Sequence, residues 1–299
     1  MIMFYADLIF SYIGVLLSIA FFTLMERKLM GLAHYRKGPN KVLLWGISQP
    51  IADATKLLTK EYTKLSFLKY SMFNSGPSTS ILLMLLCWGW YEFSSSITPT
   101  SMKIMIIVSL MSLTAYGFIL MSWGSNSKYS LVGGYRAVAQ IISYEVCMVI
   151  FMMIIFYLCK SFKMSDLKEL QENMWFMFSF YPTFLCWTLL CMAESNRTPF
   201  DTAEGESEIV SGFNIEYGGG LFALIFISEY GMIMLMSFLS SLIFLGGMTM
   251  LMVKTFAFCT LYIWVRCAFP RVRYDNLMMM CWKVSLPYSL SAIMIMSIN

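Results

Sequence analysis

The sequence predicts an all-α, polytopic integral membrane protein. Among its 299 residues, 59% are hydrophobic and only 13% are charged, whereas soluble chains carry roughly a quarter charged residues. Apolar runs of about 20 residues recur along the chain, and a helix of that length crosses a ~30 Å hydrocarbon layer. Because no low-complexity segment or second domain interrupts this pattern, we expect a single membrane domain over residues 1–299.

Eight apolar segments are predicted to span the membrane, namely Phe4–Met25, Ser71–Phe93, Met102–Trp123, Val138–Leu158, Trp175–Ala193, Gly219–Phe244, Gly247–Cys267 and Leu277–Ile298. The loops after the odd-numbered spans are 26–70, 124–137, 194–218 and 268–276. With the ends of the adjoining spans, these loops hold sixteen of the 21 Lys and Arg residues. By the positive-inside rule, we expect them to face the cytoplasm, or the matrix in a mitochondrion.

The first span reads as a retained helix rather than a signal peptide. It lacks a basic n-region, and Glu26-Arg27-Lys28 follows it where a small-residue cleavage site would stand.

The first inner loop contains a predicted short helix, Pro50–Glu61. Its apolar face comprises Ile51, Ala54, Leu57 and Leu58, while Asp53, Lys56 and Lys60 lie on or beside the other face. This pattern is typical of an amphipathic helix lying at the membrane interface. A solvent-capped loop helix explains the pattern equally well.

The stretch from Ala193 to Gly220 carries six acids against one base, Arg197. The acids are Glu194, Asp201, Glu204, Glu206, Glu208 and Glu216. Carboxylates at this density beside hydrocarbon are costly and therefore indicate a functional site. The plain alternative is a solvated acidic loop.

Thr198-Pro199-Phe200-Asp201 has the pattern of a helix start, with Thr198 as N-cap, Pro199 at N1 and Asp201 at N3. In that helix Asp201, Glu204 and Glu208 would share a face. Crowding of like charges raises carboxylate pKa values and couples their titrations, so such a set could hold or release protons near neutral pH.

Two further acids fall inside predicted spans. Glu145 lies about 12 Å along the fourth span and Glu229 roughly 15 Å along the sixth, near the bilayer centre. Each could be a structural hydrogen-bonding group. Together with the acidic loop they indicate a polar path from the inner face toward the bilayer centre.

The sequence gives little support for a resident metal or nucleotide. The eight cysteines form no C-x-x-C pair, and His34 is the single histidine, so iron–sulfur, zinc or haem ligation by this chain is not expected. No G-x-G-x-x-G or phosphate-binding loop occurs.

Long motifs in two inner loops resemble a known family. The first loop carries Glu26-Arg27-Lys28, Arg36-Lys37-Gly38-Pro39-Asn40-Lys41 and Gly46-x-x-Gln49-x-x-x-Asp53-x-x-Lys56-x-x-x-Lys60-Glu61. The loop between spans five and six carries Pro199-Phe200-Asp201-x-x-Glu204-Gly205-Glu206 and Gly212-Phe213-Asn214-Ile215-Glu216-Tyr217. These motifs and the eight-span layout resemble the subunit 1 family of NADH:ubiquinone oxidoreductase, respiratory complex I. Ser48 and Thr202 stand where that family more often has an apolar residue.

The resemblance implies a core membrane subunit at the heel of an L-shaped complex, forming the membrane part of the tunnel for its substrate, ubiquinone. Flavin, nicotinamide site and iron–sulfur clusters would belong to partners, namely hydrophilic subunits at the quinone site and small membrane subunits at the heel. Besides these, the lipid bilayer is an expected partner and nucleic acid is not. The missing presequence and the 28 methionines fit a multi-pass protein of the mitochondrial inner membrane, with odd-numbered loops facing the matrix.

The resemblance also implies roles for particular residues. Those bordering the quinone entrance and tunnel would be Glu26, Arg27, Arg36, Asp53 and Phe213. Those lining the inner half of the tunnel and the junction with the peripheral arm would be Arg136, Arg197, Asp201, Glu204 and Glu206. Those beginning a chain of acids toward the antiporter-like subunits would be Glu145, Glu194, Glu216 and Glu229.

The mechanism that this arrangement indicates is electrostatic. A charge change at a poorly screened quinone site acts strongly on carboxylates within ~10 Å, because the local dielectric is low. Three alternatives remain open. The first is the homologous membrane subunit of a proton-pumping hydrogenase, the second a free-standing proton or ion transporter, and the third a structural anchor. The absence of internal repeats argues against the transporter.

Overall fold

The computed structural model describes residues 2–42, 44–61, 66–90, 103–172, 174–203, 205, 212–246 and 250–298. These residues form helices and connecting loops, with no strand among them. The helices are α1 (Ile2–Ala33), α2 (Gln49–Thr59), α3 (Tyr70–Gly89), α4 (Lys103–Ser112), α5 (Thr114–Gly124), α6 (Lys128–Cys159), α7 (Met164–Leu170), α8 (Phe176–Ser179), α9 (Tyr181–Glu194), α10 (Gly219–Phe244), α11 (Leu251–Ala268), α12 (Tyr274–Met280) and α13 (Leu286–Ile298). A 3-10 turn covers Gly212–Asn214, and a π-helical turn, Cys281–Ser285, joins α12 to α13.

The chain is a polytopic helical membrane protein. Within the described ranges, six segments are long and apolar enough to cross a membrane, namely Ala6–Ala33, Lys103–Gly124, Lys128–Cys159, Gly219–Phe244, Leu251–Ala268 and Tyr274–Ser297. The other two predicted spans overlap α3, whose first half is polar and includes Pro77, and α9, which has 14 residues. The count of eight spans therefore stays a prediction.

Two helices extend further than the sequence predicted. α1 continues past Met25 to Ala33, and α6 begins at Lys128 instead of Val138. The predicted loop 124–137 is therefore mostly helix, and Glu145 lies roughly 25 Å from the start of α6 rather than about 12 Å. Gly133 in this helix permits close packing, because a Cβ there would lie 2.7 Å from the Cα of Gly212.

Helix α10 lies at the centre of the fold. It packs against α1, α2, α3, α9 and α11, so its side chains reach most of the other elements. Large apolar side chains fill the interior on this side, and Trp187, Phe151 and Phe244 are almost completely buried. Burying each such side chain contributes about 1.5–3 kcal/mol.

The predicted short helix of the first loop is confirmed as α2. None of its residues is buried, and Ile51 and Leu58 are 65% and 71% exposed. It packs against α10 and α1. Its place at the membrane interface stays a prediction.

The helix predicted to start at Thr198 is not formed over the described residues. We call residues 195–203 the α9 loop, because they follow α9 without repeating helical structure. Its backbone groups bond to other elements, and the Pro199 carbonyl accepts a hydrogen bond of 2.8 Å from the Val272 N–H. The Asp201 side chain is directed to Arg271 at 3.4 Å, so tertiary contacts replace the predicted capping arrangement.

Candidate functional site

The extension of α1 carries Glu26 into the interior, where the residue is 4% exposed. One carboxylate oxygen accepts a hydrogen bond of 2.6 Å from the Tyr230 hydroxyl on α10, and the other pairs with the Arg266 guanidinium on α11. A buried carboxylate needs such partners, because an uncompensated charge in the interior is strongly destabilising. Three helices thus meet at one carboxylate.

A second buried pair lies next to the first. The Arg197 guanidinium on the α9 loop donates to the Glu229 carboxylate on α10 at 2.9 Å, and both side chains are nearly inaccessible. The guanidinium also lies over the Tyr230 ring, 4.5 Å from its centroid, in cation–π geometry. The prediction of a buried Glu229 is confirmed, and the structure adds its counter-ion.

The two pairs form one connected network. Glu229 and Tyr230 are consecutive on α10, and Arg197 contacts both of them. The members of this interior network are Glu26, Arg266, Tyr230, Arg197 and Glu229. A cavity of about 30 Å³ borders it, lined by four network residues together with apolar groups such as Phe22 and Ile233. The network therefore joins a small interior cavity to an acid of the central helix.

A larger cleft opens beside the start of the first loop. It has a volume of about 520 Å³ and is lined by Arg27, Met30, Arg36, Gly38, Pro39, Asn40, Lys41 and Gln49. Asp53 holds two lining residues in place. Its carboxylate pairs with Arg27 at 2.5 Å and accepts a hydrogen bond of 2.9 Å from the Gln49 side chain. The structure thus brings Arg27, Arg36 and Asp53 together. Glu26 faces the opposite way, into the interior network.

Glu194 ends α9, outside the six candidate spans, and is 9% exposed. Its Oε2 atom has no hydrogen-bond partner among the described residues. Burial, followed by the nearby carboxylate of Glu145, raises the pKa of Glu194 to about 8. This carboxyl therefore holds its proton at neutral pH and releases it as the pH rises through about 8.

Asp201 lies on the α9 loop near the interior network. It is 8% exposed, pairs with Arg271, and is a charged neighbour of Glu229. The acids therefore fall into two groups, Glu194 with Glu145 and Asp201 with Glu229.

Two implied tunnel residues lie apart from both the cleft lining and the interior network. Phe213 is 1% exposed and packs edge-on against Phe118 in a separate apolar core. Arg136 lies over the Tyr274 ring at 5.7 Å. Glu216 is half-buried just after the 3-10 turn. Glu204 and Glu206, together with Glu208, lie outside the described residues.

Several residues of the site were missed in the sequence. Tyr230 and Arg266 are the partners of the Glu26 carboxylate, while Gln140 of α6 is bonded to Thr202 of the α9 loop. Gln140 gave one usable signal, since a glutamine inside an apolar helix needs a buried partner. Tyr230 and Arg266 gave none, because their partner is more than 200 positions away.

No cluster of three or more His, Cys, Asp or Glu side chains in the described part of the chain could hold a metal ion. The donors that do converge are guanidinium and hydroxyl groups, which suit hydrogen-bond acceptors such as carbonyl oxygens.

Comparison with known proteins identifies the family. The family model described as NADH dehydrogenase matches residues 6–297. NADH-ubiquinone oxidoreductase chain 1 of Rhipicephalus sanguineus is 45% identical, with 92% of this chain and 88% of that protein covered. The chain 1 proteins of Paracentrotus lividus and Emballonura alecto are 41% and 40% identical, with at least 92% of each chain covered. The chain therefore belongs to the NADH dehydrogenase family that includes NADH-ubiquinone oxidoreductase chain 1.

Proposed function

We propose that this chain couples the reduction of ubiquinone to proton translocation, as a core membrane subunit of complex I in the mitochondrial inner membrane. The observation that carries the proposal is the interior network, in which a buried acid at the cavity and an intramembrane acid are joined through adjacent residues of α10. The names of the relatives favour this reading over the hydrogenase subunit, the transporter and the anchor.

The cleft at the first loop is the proposed approach for the quinone. Its volume of about 520 Å³ lies in the range of roughly 300–1,000 Å³ that small-molecule sites occupy. Arg27 and Arg36 offer donors for quinone carbonyl oxygens, and Asp53 holds Arg27 in place. The tunnel itself would be completed by neighbouring subunits of the complex.

The interior network is the proposed receiver of the redox event. Each electron that enters the quinone adds a negative charge until a proton follows it, so the charge near Arg266 and Glu26 would change during reduction. A changed Glu26–Tyr230 hydrogen bond would move the Tyr230 ring, on which the Arg197 guanidinium lies. Arg197 would then hold Glu229 less or more tightly, and that acid would release or bind its proton. Each pKa unit of this response corresponds to about 1.36 kcal/mol of coupling.

The other acids extend the path. Glu194 and Glu145 form the second group, and Asp201 of the α9 loop is a charged neighbour of Glu229. We assign Glu204, Glu206 and Glu216 to the same path at the junction with the peripheral arm. Odd-numbered loops would face the matrix, so that protons enter from that side.

Replacing single acids in the assembled complex tests the proposal. In Glu229→Gln we expect quinone-linked NADH oxidation to fall by about tenfold or more, because the buried Arg197 loses its counter-charge. Oxidation of NADH by an artificial electron acceptor should stay unchanged. Glu204→Gln and Glu206→Gln should show the same split, while the exposed Glu169→Gln serves as the matched control. Loss of both activities together in an assembled enzyme would contradict the proposal.

A further inference from the structure

The Gln140 side chain lies between α6 and the segment that carries Glu194 and Asp201. It is completely buried in the middle part of α6. Its Nε2 donates hydrogen bonds to the Ala193 carbonyl at 2.8 Å and to the Phe200 carbonyl at 3.0 Å. Its Oε1 accepts a hydrogen bond of 2.6 Å from the Thr202 hydroxyl. One side chain thus connects α6 to the end of α9 and to the far end of the α9 loop.

Only a primary amide of this length can make all three bonds. It supplies two N–H donors and a carbonyl acceptor, and here each donor meets a carbonyl and the acceptor meets a hydroxyl. If the amide were flipped, its oxygen would face two carbonyl oxygens, so these three hydrogen bonds fix the orientation of the amide. A carboxylate at this position would lack both donors.

The bonded groups sit directly beside the acids. Ala193 precedes Glu194, and Phe200 precedes Asp201. Glu145 lies on α6 itself, little more than one helical turn after Gln140. The amide therefore fixes two acids of the α9 segment with respect to the helix that carries the third.

We propose that Gln140 is a positioning residue for proton coupling, and that it acts by holding Glu194 and Asp201 at a set distance from Glu145. This inference rests on the proposed function. Gln140 is absent from the lining of both the cleft and the interior cavity. Its loss should therefore lower the quinone-linked kcat and the number of protons moved per electron, and leave the KM for ubiquinone unchanged.

Substitutions of Thr202 provide the mildest test. Each variant is studied in the assembled complex, and its quinone-linked rate is divided by its rate with an artificial electron acceptor. Thr202→Val keeps the shape and leaves Oε1 without its donor, so we expect kcat to fall about fivefold. Thr202→Ser restores a hydroxyl and should restore kcat. Thr188→Val is the matched control, because Thr188 is equally buried and its hydroxyl bonds within its own helix.

Gln140→Asn provides the second test and keeps the amide while shortening its reach. We expect a kcat loss at least as large as that of Thr202→Val, again with constant KM. Equal kcat in Thr202→Val and Thr202→Ser, or an unchanged proton-to-electron ratio in Gln140→Asn, overturns the inference.

Acid variants separate this inference from the function on which it rests. If Glu194→Gln lowers coupled turnover while both Gln140→Asn and Thr202→Val leave it intact, only the positioning role fails. If Glu194→Gln and Glu229→Gln also leave coupled turnover intact, the proposed function fails as well.

Discussion

Two carboxylates in the described interior of this protein are held in ion pairs. Glu26 is paired with Arg266, and Glu229 with Arg197, at sites where each carboxylate is at least nine-tenths buried. Breaking such a pair by removing one member typically costs roughly 3–5 kcal/mol, because the other charge stays buried. The pairs therefore make the interior sensitive to any change of charge nearby.

The ion pair between Glu26 and Arg266 should contribute more to turnover than the hydrogen bond from Tyr230 to Glu26. In Glu26→Gln, Arg266 loses its counter-charge, so we expect quinone-linked turnover to fall by about tenfold or more. In Tyr230→Phe a single neutral donor is lost, so the expected fall is about fivefold. Both rates are measured per assembled complex, with Thr188→Val as control. Equal losses, or none in either variant, would argue against the network.

Glu194 should give the enzyme a titration near neutral pH. Because burial raises its pKa to about 8, the side chain is neutral below that pH and ionises above it. We expect coupled turnover to show a pH-dependent limb near pH 8 that disappears in Glu194→Gln. Activity with an artificial acceptor, measured over the same pH range, corrects for effects elsewhere. An identical limb in the variant would show that another group is responsible.

The sequence identified most of the acids but not their partners. Glu145, Glu194 and Glu229 stand out because carboxylates are rare beside hydrocarbon. Tyr230 and Arg266 are 204 and 240 positions from Glu26, and no spacing rule links residues at that separation. Only the packing of α1, α10 and α11 brings them together.

Helix α6 relies on a close backbone approach at Gly133. At Gly133 an added Cβ would lie 2.7 Å from the Cα of Gly212, which cannot move aside as a flexible side chain could. The contact holds the 3-10 turn against α6, next to Phe213.

Gly133→Ala should consequently disturb assembly. We expect it to cost about 1–3 kcal/mol by overpacking and to lower the amount of assembled complex on a native gel. Gly14→Ala in α1 is the control, since a Cβ there meets nothing within 4 Å. If the Gly133→Ala complex assembled normally, the prediction would be contradicted, because the 3-10 turn would then move to accommodate the added methyl group.

Helix positions were predictable where apolar runs have sharp ends. The sixth predicted span, Gly219–Phe244, coincides with α10. Glycines mark its start, and no basic residue lies in its last turn. The start of α6 was misplaced by ten residues, since the glycines and Arg136 have a loop-like composition. The prediction of a helix starting at Thr198 was wrong. Hydrogen bonds from Gln140 and Val272 to backbone carbonyls of the α9 loop outweigh the local capping preference.

At the scale of the whole molecule, α10 is the element that contacts α2, the interior network and α9. It packs against α2 beside the cleft, carries Tyr230 and Glu229 of the interior network, and contacts α9. A change of charge at the cavity can thus reach an acid of the central helix through two adjacent side chains. Family resemblance and composition predicted the membrane class and the acids, whereas this connection required the structure.

Redox-induced infrared difference spectroscopy of the assembled complex tests the central claim most directly. The account predicts that reduction by NADH in the presence of ubiquinone changes the carboxyl bands, and that part of this change is lost in Glu229→Gln and in Glu26→Gln. Spectra that are the same in the unaltered enzyme and in both variants would contradict it, because the buried acids would then take no part in the response to quinone reduction.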